Sequence, residues 1–321
     1  YAREAARRSL ETVSFDDAIA VLHDALTVAD DDFDQADLLI DLAAAYARSG
    51  DSVAAARCCD EAAQLARGAG NTQRLVRAAQ TMSEATWRGA LHGAPAVALL
   101  REALAVETDV VARCELLSAL SGALALCGEG DASRRASDKA ISLAAKLDQP
   151  RLLLDAIHSR LYGTVLPDNV DEQLALCQRG LEVAVRERDE FSELRLLCKA
   201  LLRLFVRCDP ASFAAYHGRH RVLVGRFRQP YYLLVHTGNE TAVALAEGRF
   251  ADAESAAEQY RTWSEVNHQD DGTYGIQMFS IRREQGRLAE LRPMLELAAR
   301  LRRDNSSWAP GLAAVYTEAG M

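Results

Sequence analysis

A pair of helix-forming stretches joined by a turn recurs along this chain about every thirty-nine residues, and that recurrence restricts the fold more than any other feature. The turns read Gly50-Asp51, Gly93-Ala94-Pro95, Gly128-Glu129-Gly130-Asp131, Pro167-Asp168-Asn169, Asp209-Pro210, Gly248-Arg249 and Gly286-Arg287, with a last one at Gly320. Glycine, proline and short carboxylates stop helices for separate reasons: a free backbone, a missing N–H, and a side chain that competes for backbone donors. The clearest unit lies between Leu39 and Ala62. Leu39, Leu42, Ala43 and Tyr46 share one helix face, Ala55, Cys59 and Ala62 share another, and the small residues let the two helices approach closely. No segment alternates as a strand does. The expected fold is therefore all-α.

This spacing of small and large residues is the tetratricopeptide (TPR) helix-turn-helix pattern, with Ala43 where glycine is commonest. The period exceeds the usual repeat of about 34 residues, so longer helices or loops are expected. Hairpins are expected over 1–30, 34–68, 72–106, 109–147, 150–188, 191–225, 229–266 and 270–302, with a final helix over 308–319. Together they read as a single repeat domain, residues 1–321, forming an α-solenoid of about eight hairpins wound as a right-handed superhelix. The chain starts at Tyr1 and stops just after a repeat-like Glu318-Ala319-Gly320, so it reads as a piece of a larger protein.

Net charge is −9, against a general nucleic-acid binder, whose phosphate contacts need an excess of lysine and arginine. Seven cysteines form no CxxC and no zinc-ligand spacing, which makes them packing residues of a reducing compartment. No apolar run reaches the roughly 20 residues needed to span a bilayer, so a cytoplasmic protein without membrane contact is expected. The acidic linker Asp30-Asp31-Asp32 with Asp34 lacks the alternation and central glycine of a calcium loop and reads as helix capping.

Several stretches carry a further likeness. These are Pro167-Asp168-Asn169 with Glu172 and Leu174-Ala175, Arg228-Gln229-Pro230 with Tyr232, and Gly248-Arg249-Phe250 with Ala253-Glu254. The strongest is Phe279, then Ile281-Arg282-Arg283-Glu284-Gln285-Gly286-Arg287-Leu288. With them the chain resembles the TPR region of large ATP-binding LuxR-type transcriptional regulators of the STAND class, and related regions of cyclase–ATPase proteins. That resemblance implies a sensor that restrains a neighbouring ATPase until an inducer or partner arrives. ATP is implied for the parent alone: this chain holds no GxxxxGK[ST], cyclase motif or DNA-reading domain. It is read as no enzyme, with no cofactor, no metal and no direct nucleic-acid contact of its own.

Catalytic sets are missing too. His217 and His220 have helical spacing for a metal but no third ligand a turn away, and Arg219 and Arg221 disfavour a cation. Asp16-Asp17 and Asp270-Asp271 fall at helix starts and read as dipole partners. One feature stands out. Arg195, Lys199, Arg203 and Arg207 recur every four residues, opposite an apolar face of Leu196, Leu197, Ala200, Leu201, Leu204 and Phe205. With Arg219, Arg221, Arg226 and Arg228 they make eight basic residues against one acid, Asp209. Two readings follow: internal neutralisation by Asp155, Glu187, Asp189 or Glu193, or an acidic partner, including a small acidic inducer or the protein's own ATPase domain. Tyr231, Tyr232, His236 and Asn239 on the next first helix, and Arg283 one repeat on, are further candidate contacts. If the stripe is a docking surface, reversing charge at Arg203 and Arg207 abolishes binding while circular dichroism and melting stay unchanged.

Overall fold

A computed structural model describes residues 2–11, 14–89, 91–163, 165, 168–266, 272–301 and 309–318. Among them are seventeen α-helices and no strand. They pair as α1 (Ala2–Glu11) with α2 (Phe15–Thr27), α3 (Asp32–Ser49) with α4 (Ser52–Gly68), and α5 (Thr72–Arg88) with α6 (Ala94–Val106). Next come α7 (Val110–Leu126) with α8 (Gly130–Leu147), α9 (Pro150–Arg160) with α10 (Val170–Arg186), and α11 (Glu190–Arg207) with α12 (Pro210–Phe227). Then follow α13 (Pro230–Ala246), α14 (Phe250–Val266), α15 (Thr273–Glu284), α16 (Arg292–Leu301) and α17 (Ala309–Glu318). This is a TPR-like α-solenoid. Leu166, Pro167, Asp270, Asp271 and Gly320 lie outside the described residues.

The chain divides into two compact units, Tyr1–Leu233 with Val266–Gln269, and Leu234–Glu265 with Asp270–Met321. In the first unit each odd-numbered helix packs on its hairpin partner and on the next odd-numbered helix, from α3 through α5, α7 and α9 to α11. The odd helices therefore form one row. Close approach is possible because Ala43, Ala55 and Ala62 are fully buried, with Leu42 filling the seam.

Local chemistry fixes where helices begin. The carboxylates of Asp31, Asp51, Asp109, Asp189 and Asp209, and the Asn71 amide oxygen, each accept a backbone N–H in the first turn that follows. Such a cap contributes about 1 kcal/mol. The acidic linker thus does cap α3, through Asp31. Gly50 ends α3 at φ 105°, a conformation that side-chain-bearing residues resist.

In the second unit, Ala244, Ala253, Ala257, Met278 and Ile281 make one core, and Leu288, Leu291, Leu295 and Val315 another. After the Gly286-Arg287 turn, the second half of the hairpin expected over 270–302 opens not as an α-helix but as a 3-10 turn, Leu288–Leu291, and turns α-helical at Arg292. Pro293 explains this: it has no N–H to give the Ala289 carbonyl, and its ring would strike that carbonyl in a continuous α-helix.

All seven cysteines are free, and Cys58, Cys59, Cys114 and Cys177 are buried. Cys208 departs from a packing role, because it takes the left-handed position after α11 (φ 56°) and is exposed. Among the described residues no helix is long and apolar enough to cross a membrane.

Two glycines test the packing in opposite senses. A Cβ at Gly93 would collide with the Ala123 carbonyl oxygen and the Cys127 sulfur, whereas one at Gly218 would meet nothing. Gly93→Ala is expected to destabilise by about 1–3 kcal/mol. Gly218→Ala should stabilise α12 by about 0.5–1 kcal/mol. Chemical denaturation of both variants checks the signs.

Candidate functional site

The odd helices of the first unit form most of the wall of a half-open cavity of about 790 Å³. Ser83, Glu84, Trp87 and Arg88 reach it from α5, and Glu115, Ser118 and Ala119 from α7. Arg151, Asp155 and His158 come from α9, Tyr162 from the turn after it, and Phe191 and Arg195 from α11. Arg48 at the end of α3, Phe15 of α2, and Arg226, Phe227 and Gln229 at and after the end of α12 complete the wall.

Aromatic rings close one side. Trp87 lies 6.1 Å from both His158 and Tyr162 and 5.4 Å from Tyr231, centroid to centroid. These rings come from α5, from α9 and the turn after it, and from α13, so the contacts bridge hairpins that are not neighbours in sequence. Arg88 sits 4.7 Å over the Trp87 ring and donates from Nε to Glu84 at 2.8 Å. Arg195 donates from Nη1 to Asp155 and from Nη2 to His158 Nδ1, each at 2.7 Å. The Nε of Arg195 and the hydroxyls of Tyr162 and Tyr232 are buried without a hydrogen-bond partner among the described residues.

The electrostatics are one-sided. Burial, reinforced by Arg195, Lys199, Arg203 and Arg88, holds the His158 imidazole well below its usual pKa, hence neutral at pH 7. Burial pushes the Tyr232 phenol up to about 12, although Arg88 and Arg195 pull the other way. Burial disfavours the Glu84 carboxylate, yet Arg88, Arg48 and Arg195 hold its pKa below the ordinary value.

The basic stripe separates into different environments. Arg195 is in the cavity wall. Lys199 Nζ lies 3.4 Å from the centre of the Tyr162 ring. Arg203 is 1% exposed, donating to the Leu161 carbonyl at 2.6 Å, the Lys199 carbonyl at 2.8 Å and the Gln173 amide oxygen. It is a structural residue, and charge reversal there would break the fold before it tested binding. Arg207 is exposed, 3.1 Å from Asp171. Arg219 pairs with Glu193 at 2.8 Å, and Arg226 with Glu190. Two of the four expected internal counter-charges, Asp155 and Glu193, thus do meet stripe residues. Of the other two, Glu187 accepts from Arg186 and Asp189 caps α11. Arg221 and Arg228 are exposed.

Tyr232 is 1% exposed, packed edge-on against Phe191 and Tyr231. His236 and Asn239 fall in the second unit, with His236 Nε2 3.7 Å from Glu240. Arg283 is exposed beside Glu284 in a hollow of that unit. His217 and His220 are buried with stacked rings, and Cys198 Sγ is 3.2 Å from His220 Nε2. Of the basic stripe, then, Arg195 and Arg226 line the cavity, and the other candidate residues do not.

No family model matches the chain, and no curated protein matches it. Solved structures do. A Rap protein complexed with competence and sporulation factor aligns with a TM-score of 0.59 at 13% identity, over 86% of this chain and 76% of that one. A signal-transduction ATPase with numerous domains (STAND) and a tetratricopeptide-repeat sensor, from Pyrococcus horikoshii, aligns with a TM-score of 0.61 at 14% identity. That match covers 99% of this chain but 48% of the ATPase, so this chain spans about half of that protein's length. The apo form of RapI aligns at 0.50 and 10% identity, over 99% and 96% of the two chains. These likenesses establish the repeat fold.

Burial, with Arg203 and Arg195 nearby, draws the Lys199 pKa down to about 7. Unfolded lysine titrates near 10.4, so between these values the unfolded chain binds more protons and this group's contribution to stability rises with pH. Lys199→Met lacks that contribution. Its Tm advantage over the wild type is therefore expected to be largest near pH 6 and to shrink steadily towards pH 9. A gap that stays constant across thermal melts in this range would refute the assignment.

Proposed function

We propose that this chain is the non-catalytic sensor and interaction scaffold of a multidomain signalling ATPase that regulates transcription, and that it receives its partner or inducer on the odd-numbered helices. The observation that carries this reading is the cavity: five successive odd helices contribute to its wall, with charged side chains already oriented by their own pairs. A surface held ready in this way binds without the entropy loss of ordering its own groups. Support for an ATPase parent comes from the repeat-sensor STAND protein, half of whose length aligns with nearly all of this chain. Support for a bound occupant comes from the Rap structure, solved with competence and sporulation factor bound. The LuxR-type assignment rests on the sequence resemblance at Phe279–Leu288 and the other matching stretches. ATP belongs to the parent's ATPase, which the scaffold restrains until the cavity is filled.

The test uses the full-length protein and host extract as the source of inducer. Ala119→Trp fills the cavity without adding charge and should abolish the response of ATP hydrolysis to extract. Val185→Glu, on a side chain 61% exposed on α10, should leave it intact. Equal responses in the two variants, or a full-length protein that hydrolyses no ATP, would overturn the proposal.

A further inference from the structure

The cavity wall specifies the chemistry of what fills it. Its polar groups are mostly donors: Arg88 and Arg195 in the wall, Arg48 and Arg151 exposed at the edge, and the Tyr162 hydroxyl. Two of these groups, Arg195 Nε and Tyr162 Oη, are buried and unsatisfied among the described residues. Leaving such groups unmet is a desolvation penalty that an acceptor brought in from outside removes. Three carboxylates also line the wall, but each is engaged: Glu84 by Arg88, Asp155 by Arg195, and Glu115 by Gln80 at 2.8 Å.

Two further observations narrow the ligand. His158 accepts a hydrogen bond from Arg195, and cations on α11 and α5 surround it. The lining arginines Arg48, Arg88, Arg151, Arg195 and Arg226 outnumber the three carboxylates of the wall, so the interior carries a positive potential that favours an anion. Trp87, Tyr162, His158, Phe191 and Phe227 offer ring faces and edges beside these donors, suited to a flat apolar body. The volume lies within the range of small-molecule sites. A peptide is disfavoured, because the volume is that of a small-molecule site and Trp87 packs against both Tyr162 and Tyr231 rather than leaving a groove between them for an extended chain.

We infer that the cavity is a receptor site for a small molecule joining an oxyanion, in the simplest case a carboxylate, to a flat apolar body. The oxyanion meets Arg195 Nε and Tyr162 Oη, and the body lies against Trp87. This rests on the sensor reading above but extends it to a ligand class.

The experiment compares 2-naphthylacetate with its neutral amide by isothermal titration and thermal shift, using the intact chain. The acid should bind at least about tenfold tighter than the amide, as charge-assisted hydrogen bonds to a partly buried arginine imply. Arg195→Gln should weaken the acid towards the amide's affinity and leave the amide unchanged, a split that a merely loosened fold would not produce. If Arg195→Gln does not fold, Arg151→Gln at the exposed edge takes its place, with a several-fold loss confined to the acid. Ala119→Trp should remove both ligands.

Equal affinity for acid and amide, with both lost in Ala119→Trp, overturns the anion assignment and leaves the sensor reading standing. Acid binding that survives Ala119→Trp overturns the site itself. No binding of either probe, or tighter binding of a capped acidic phenylalanine-containing hexapeptide, overturns the small-molecule assignment while leaving the ATP-hydrolysis test above to decide the sensor reading.

Discussion

Side-by-side packing of the odd helices depends on polar groups meeting across one repeat. Asp37, Arg77, Glu115, Asp155 and Arg195 are each the sixth residue of α3, α5, α7, α9 and α11 respectively. Arg77 Nη1 meets Asp37 at 2.7 Å, Gln80 Nε2 meets Glu115 at 2.8 Å, and Arg195 Nη1 meets Asp155 at 2.7 Å. Arg74 joins the same carboxylate of Asp37 at 3.0 Å. Exposed ion pairs contribute about 0–1 kcal/mol, so a ladder of this kind adds little to stability as such. Its effect is on register. Sliding one helix by a turn against the next would separate each pair and leave half-buried charges unmet, a larger loss than any single pair contributes when formed. Apolar seams of alanine and leucine tolerate such slips far better, which is why the ladder and not the seam aligns the cavity wall.

The same row carries cations that no carboxylate meets among the described residues. Arg203 is satisfied by carbonyl and amide oxygens instead. The Leu161 carbonyl lies just past the end of α9, where helix carbonyls lack partners and the helix dipole is negative. Arg203 thus serves as a cap for α9 delivered from α11. Among the described residues Lys199 has only the face of Tyr162, which compensates burial of an ammonium less well than a carboxylate, and its pKa falls accordingly. Of the four cations around His158, Arg195 and Arg88 keep carboxylate partners while Lys199 and Arg203 meet none among the described residues, so positive charge is in excess there. The positive interior of an acidic protein follows from this local arrangement, not from overall composition.

The fold was largely legible because its signals are local. Gly50, Pro95 and the capping aspartates act within a turn of their own position, and Ala43, Ala55 and Ala62 recur at helical spacing. Pro293 was legible as well but went unused, and it displaces the start of α16 by four residues. The cavity was not legible from one helix at a time. Arg195 to Arg207 form a stripe in sequence, yet α11 rotates each member into a different environment, and Arg203 ends at 1% exposure. Trp87, Arg88, His158 and Tyr162 went unremarked because nothing near them in sequence marks them out. Their signal is periodic: charged residues at 37, 77, 115, 155 and 195 repeat at the hairpin spacing and identify the row on which the cavity is built.

An ideal repeat array is stabilised by nearest neighbours alone, so it can loosen one hairpin at a time. Trp87 breaks that rule, since it joins α5 to α9 through His158 and to α13 through Tyr231, skipping the hairpins between. A cross-link of this kind penalises opening of any intervening hairpin, because the ring contacts are lost whichever one moves. Each aromatic pair contributes about 0.5–1.5 kcal/mol beyond its buried area, comparable with the helix caps that define individual repeats. The consequence is a first unit more cooperative than its repeat count implies. Its cavity walls are held by contacts between distant hairpins and by contacts between adjacent ones, and an occupant touching α5, α9 and α11 at once would add to the first class rather than the second.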